Sequence, residues 1–130
     1  MPVWICATCG NHYPEDPSPP AVCVICADER QWVPPSGQRW TTAEELAGAG
    51  HRSDVREVEP GLLGIGVDPP VAIGQRALLV RTAGGNLLWD PPGYLDEAAV
   101  AAVAGSSHWR STWPKAPRVS TRSGPWPRTW

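Results

Sequence analysis

Four cysteines are the residues of this chain best suited to chemistry, and their spacing narrows what that chemistry is. Cys6-Ala7-Thr8-Cys9 and Cys23-Val24-Ile25-Cys26 are two CxxC pairs. Two thiolates separated by two residues can grip one ion from a tight turn, and a second such turn completes a tetrahedral S₄ site. Gly10 follows the first pair, where a knuckle of this kind commonly requires a positive φ. The predicted metal ligands are therefore Cys6, Cys9, Cys23 and Cys26, and the predicted ion is structural zinc, since a closed S₄ set leaves no coordination position open for catalysis. Iron in a rubredoxin-like electron-transfer site is the alternative, because thiolate geometry does not separate the two metals. Disulfides fit less well in a chain that opens without a secretion signal, and a lone redox pair less well than two matched ones. His12, three residues past Cys9, is a substitute ligand that a complete cysteine set does not require.

The elements that must position these sulfurs are short. Among 130 residues there are 16 Pro and 13 Gly, so turns are frequent. Val3-Trp4-Ile5 and Ala21-Val22 read as strands entering the knuckles, 28–33 as the exit strand, and 14–20 as a stiff, proline-rich surface loop. Thr41 and Thr42 are candidate caps, and Thr42 with Glu45 has capping-box spacing for a helix over 43–47 that Gly48 and Gly50 end. Residues 54–59 alternate, 62–67 are apolar with Gly interruptions, and 77–82 and 86–89 flank Ala83-Gly84-Gly85 as a hairpin. Asp90-Pro91-Pro92-Gly93 is a loop whose turn Asp90 caps, and Asp96 caps a helix running through Val103. The order of ribbon, helix, antiparallel strands and helix predicts an α+β fold.

Charge divides the chain. All 13 acidic residues lie between Glu15 and Glu97, and residues 1–104 hold six basic groups, a balance of 6 − 13 = −7. Residues 105–130 carry Arg110, Lys115, Arg118, Arg122 and Arg128 and no acid, for +5, and sum with the rest to the net −2. That last stretch also holds Trp109, Trp113, Trp126 and Trp130 among Ser, Thr and Pro, with no helical or strand period. The expected divisions are 1–35, a zinc ribbon; 36–104, a partial α+β unit; and 105–130, a tail without a core and expected to be disordered. No apolar run approaches the ~20 residues that cross a bilayer, so the expectation is a cytoplasmic chain with no membrane contact.

Several stretches resemble one family. Cys6-x-x-Cys9-Gly10, Cys23-x-Ile25-Cys26-x-Asp28-Glu29-Arg30-Gln31 and Gly37-Gln38-x-Trp40-Thr41-Thr42-x-Glu44-Glu45-Leu46 are similar to the front part of metallo-β-lactamase-fold hydrolases that carry an N-terminal zinc ribbon. So are Ile73-Gly74-Gln75-Arg76-Ala77-Leu78-Leu79-Val80 and Gly85-Asn86-Leu87-Leu88-Trp89-Asp90, and the resemblance spans residues 3–104. It implies that residues 36–104 are the first strands and first helix of an αββα sandwich, with Asp90 near the rim of an active site. The family's catalytic His-x-His-x-Asp-His, whose metal ions generate hydroxide at neutral pH, has no counterpart here. The three histidines, His12, His51 and His108, are scattered, and Ser107-His108-Trp109 lacks the second His and the Asp. No catalytic residue is therefore assigned, and whether the chain is an enzyme stays open.

Three functions follow. The first is a zinc-binding, inactive front part of such a hydrolase. The second is a zinc-ribbon interaction module presenting Trp32 and Trp40; residues 1–35 offer only Arg30 against Glu15, Asp16, Asp28 and Glu29, which disfavours nucleic acid and leaves a protein partner. The third is electron transfer through iron. The composition change after Ala104 matches a GC-rich gene read out of frame, so the sequence reads as truncated before the catalytic motif. Translating the other two forward frames beyond codon 104 checks this: one should give an apolar strand followed by His-x-His-x-Asp-His.

Overall fold

The computed structural model describes residues 1–105 and 109–111. Its elements are β1 (Val3–Cys6), β2 (His12–Glu15), β3 (Trp40–Thr42), α1 (Ala43–Gly48), β4 (Arg52–Glu59), β5 (Leu62–Asp68), β6 (Ala77–Thr82), β7 (Gly85–Trp89), α2 (Glu97–Ala104) and β8 (Trp109–Ser111). They form two sheets, a three-stranded one in the order β2-β1-β3 and a five-stranded one in the order β4-β5-β6-β7-β8. All pairings are antiparallel except the last, where β8 runs parallel to β7. The α+β expectation holds at this level.

Local signals produce most of the second sheet. On β5, Leu63 and Ile65 enter a core with Ala77 and Leu79 of β6 and Ala99 of α2. The residues alternating with them, Gly64 and Gly66, leave the opposite face without side chains at those positions, and a Cβ at Gly66 would meet the Arg76 guanidinium at 2.8 Å. Arg76 crosses β5 over this space and reaches Asp54 of β4, Nη2 to Oδ2 2.8 Å. Arg56 donates from Nε to the same carboxylate at 2.8 Å, and Arg56 first, then Arg76, hold Asp54 below the ordinary carboxylate range. The Gly interruptions thus make room for an ion pair spanning three strands.

Both helices start as their sequence signals dictate. Thr42 and Glu45 form the reciprocal capping box, Glu45 N–H to Thr42 Oγ1 at 3.2 Å and Thr42 N–H to Glu45 Oε2 at 3.0 Å. Asp96 accepts from the Ala99 amide at 3.1 Å with one oxygen and from the Ser53 amide at 2.8 Å with the other. Ser53 Oγ in turn accepts from the Asp96 amide at 3.2 Å, so the helix cap also ties α2 to β4.

Four expectations need correction. Residues 21–22 and 28–33 are bends, turns and coil rather than strands. The third strand of the ribbon is β3, which pairs Trp4 with Thr42 and Cys6 with Trp40. The loop expected from Pro14 begins later, because β2 continues to Glu15; as an edge strand it tolerates a proline that cannot donate. The boundary expected at residue 35 is bridged twice: by the β1–β3 pairing and by a second core of Ile5, Leu46, Val71 and Tyr94. Within 105–130, Gly105 and β8 are described, against the expectation of a tail without a core; His108, with the rest of 106–108, and residues 112–130 lie outside the described residues.

Burial opposes the Asp96 carboxylate, but hydrogen bonds from the Ser53 and Ala99 amides prevail and hold its pKa below the ordinary value. A depressed folded pKa contributes stability that is present above the unfolded pKa and lost as pH falls. Asp96→Ala should lower unfolding stability by about 1–2 kcal/mol at neutral pH, read from the midpoint of a urea titration, whereas Asp96→Asn, which keeps the cap acceptor, should lose less.

Candidate metal centre

The first knuckle grows directly from β1. Cys6 ends the strand, its amide donates to Asn11 O at 2.9 Å, and Gly10 N–H returns to Cys6 O at 2.8 Å, which turns Cys9 back toward Cys6. Gly10 has φ 79°, the left-handed conformation expected of it. In the second knuckle Ala27 N–H bonds to Cys23 O at 2.9 Å, closing a turn around Val24 and Ile25.

These turns bring Cys6, Cys9, Cys23 and Cys26 together with all four Sγ atoms within 4.8 Å of one another, and none is in a disulfide. The short approaches join one knuckle to the other: Cys6 to Cys26 at 3.6 Å and Cys9 to Cys23 at 3.7 Å. A tetrahedral ion with metal–sulfur bonds of about 2.3 Å needs sulfur–sulfur edges of about 3.8 Å. The group fits one such ion. Cys6 and Cys23 are buried, while Cys9 and Cys26 are partly exposed. Among the described residues it is the one group of three or more His, Cys, Asp or Glu side chains close enough to share a metal.

Side chains outside the four ligands orient them. Tyr13, on β2, donates its hydroxyl to Cys23 Sγ at 3.2 Å and accepts from the Val24 amide at 2.9 Å. Its ring meets Trp40 edge to face, centroids 5.0 Å apart. Gln38 directs Nε2 to Cys6 Sγ at 3.6 Å and to Arg39 O at 2.9 Å. Such outer contacts fix ligand orientation and stabilise thiolate charge. Neither Tyr13 nor Gln38 carries a spacing signal that marks this role, although Gln38 lies inside a stretch bearing the family resemblance.

The remaining candidates stand apart from the sulfurs. His12 donates Nε2–H to the Gly93 carbonyl at 2.9 Å, so it is a strut between the ribbon and the loop before α2. Gln75 completes that strut by donating Nε2 to Cys9 O at 3.3 Å, and a Cβ at Gly10 would meet Gln75 Nε2 at 2.5 Å and Gly93 Cα at 3.1 Å. His51 donates Nδ1–H to Pro69 O at 2.8 Å. Asp90 is exposed, adopts φ 59°, and lines an open recess of about 500 Å³ beside Cys9 and His12. Its carboxylate makes no hydrogen bond among the described residues, so the expected cap of the Pro91-Pro92-Gly93 turn does not form; the left-handed backbone makes the turn instead.

Without a metal the thiols divide. Burial raises Cys9 to about 11 and also raises Cys26, whose proton is further held by hydrogen bonding with Cys6. At Cys23 burial again opposes ionisation, but the Tyr13 hydroxyl and the Cys26 amide outweigh it and bring the pKa down to about 7. Metal binding requires thiolates, so at pH 7 it must displace at least the Cys9 and Cys26 protons. Affinity should therefore fall as pH falls. Calorimetric zinc titrations in buffers of different ionisation enthalpy should return two or more protons released per ion bound; release near zero would contradict this charge assignment.

No family model and no solved structure matches the chain. The chain is 42% identical over 104 residues to the uncharacterized protein YmaE of Bacillus subtilis (strain 168), a match covering 79% of this chain and 38% of that protein. The matched part of the chain thus spans little more than a third of the length of this curated relative.

Proposed function

We propose that Cys6, Cys9, Cys23 and Cys26 hold one structural zinc ion, and that the chain serves as the ribbon-bearing front part of a metallo-β-lactamase-like hydrolase, itself without catalytic turnover. The sulfur geometry carries the first half of this reading: four donors, edges of 3.6 and 3.7 Å across the knuckles, and two of the four sulfurs buried. Four protein ligands close the coordination shell, which gives the ion a folding role rather than a catalytic one. Support for the second half is the placement of the stretches that carry the family resemblance. Gln38 touches a cysteine sulfur, Thr42 and Glu45 cap α1, Gln75 braces Cys9, and Arg76, just before β6, ties that strand's entry to β4.

A protein-contact role has one observation in its favour: Val22 and Val24 beside Cys23 are more than half exposed, as is Trp32. These surfaces lie outside the coordination shell, so the two roles are compatible.

Elemental analysis of the purified chain should find about one zinc per molecule and no iron, with a colourless protein. Replacing Cys23 with Ser should abolish retention of the ion and unfold residues 1–35. Assays with nitrocefin, p-nitrophenyl acetate and bis(p-nitrophenyl) phosphate should give no turnover above buffer; metal-dependent turnover lost on mutation outside the cysteines would overturn the inactive reading, and a red iron protein would overturn the zinc one.

A further inference from the structure

Two adjoining recesses, of about 350 and 230 Å³, lie against the outer side of the first knuckle. Both are lined by Ala7, Arg39 and Ala72, so they form one groove. Trp32, Pro34 and Ile73 wall one end, and Trp40, Thr41 and His51 the other. Trp32 is 72% and Ile73 75% exposed, which leaves a flat aromatic surface and an aliphatic one facing solvent within a single recess.

The charge of this groove runs against that of its surroundings. Acidic groups outnumber basic ones 13 to 6 over residues 1–104, yet neither recess is lined by an Asp or a Glu. Arg39 is exposed, and its guanidinium enters no ion pair or hydrogen bond among the described residues, unlike Arg30, Arg56 and Arg76. His51 donates Nδ1–H to Pro69 O, which leaves Nε2 as an acceptor at the far end of the groove from Trp32. An unpaired guanidinium offers a planar fork that matches carboxylate or phosphate. Indole and aliphatic surfaces beside it favour an apolar body over water.

We propose that this groove binds an amphipathic anion, a carboxylate or phosphate carried on a flat apolar body, with the anion at Arg39 and the body against Trp32 and Ile73. Ala7 and Thr8, the two residues between Cys6 and Cys9, form part of its wall. The site therefore depends on a folded knuckle and rests on the metal-centre reading to that extent.

The test uses the full chain, with its zinc content measured first, titrated with 2-naphthoate, 2-naphthyl phosphate and the neutral 2-naphthalenemethanol and followed by ¹H–¹⁵N correlation spectra. One anion or both should shift the Trp32 indole N–H and the Thr8 amide saturably, and the stronger binder identifies the anionic group. The alcohol should bind about tenfold more weakly or worse. Arg39→Gln should reduce anion affinity to the level of the alcohol while leaving zinc content and the rest of the spectrum in place. Trp32→Ala should weaken all three probes. Equal affinity for alcohol and anions, an Arg39→Gln variant that binds as the parent does, or no saturable shift below about 10 mM would overturn the proposal. A chain that carries zinc and shows no such shift overturns this proposal alone; one that binds the anions without zinc overturns only the metal reading.

Discussion

The fold depends on four sulfur atoms being held within 4.8 Å of one another. As thiolates they repel, and as thiols Cys9 and Cys26 resist ionisation because burial withdraws them from water. A bound cation would relieve that conflict by making the charged form the stable one. The consequence reaches well beyond the ligands. Between Glu15 and Trp40 the backbone contains turns and bends but no strand or helix. Ordering such a stretch costs on the order of 1–2 kcal/mol per residue in backbone entropy, and its buried apolar anchor is Cys23. With Val22, Val24, Ile25 and Trp32 all facing solvent, the hydrophobic effect supplies little of the compensation there.

The same centre orients the ribbon on the second sheet. Gly10 gives the first knuckle its left-handed turn and also lets the backbone come close to Gly93 and Gln75. His12 and Gln75 then bond across that contact, one in each direction along the chain. Gln75 Oε1 is left buried without a partner among the described residues. That unmet acceptor has a cost, and the structure bears it where the amide's other end must reach Cys9 O. Ile5, Leu46, Val71 and Tyr94 close the interior beneath, joining β1, α1 and the two loops on either side of β6 and β7.

What could be read from the sequence divides by the range of the interaction. The Thr42–Glu45 capping box, the Asp96 cap, the hairpin across 83–85 and strands β4 to β7 follow from neighbours a few residues apart and are in place, with Gly85 already inside β7; β8, in a stretch expected to be a tail without a core, was not legible. The four-cysteine cluster was legible for a related reason: two residues between cysteines is a geometric requirement written directly in the chain. Strand identity in the ribbon was not. Residues 28–33 look extended, but β1 takes Trp40–Thr42 as its partner, pairing Ile5 with Thr41 and Cys6 with Trp40 across a long stretch of chain. Tyr13, Gln38 and Gln75 were invisible as a set because each acts through a contact that only the closed fold creates. The resemblance to metallo-β-lactamase-fold hydrolases is of a third kind, since it rests on matched stretches of sequence rather than on any interaction that the described residues display.

Two small cores, one of five buried residues and one of four, explain why polar anchors recur. A domain of this size buries a modest fraction of its surface, so packing alone leaves a narrow margin. Each sheet is accordingly pinned by a charge-based device: the sulfur cluster at the ribbon, and Arg76 lying over Gly66 to reach Asp54 on the second sheet. Both devices need small residues beside them, Gly10 for the knuckle and Gly64 with Gly66 for the guanidinium. The guanidinium of Arg76 thus accounts for Gly64 and Gly66 in β5, which β-strand propensity alone would have excluded. The two anchors also locate where function must be sought. Asp54 is satisfied by two guanidinium groups and a metal-filled S₄ set would be closed as well, whereas the Arg39 guanidinium has no partner among the described residues and Trp32 and Ile73 present open surfaces.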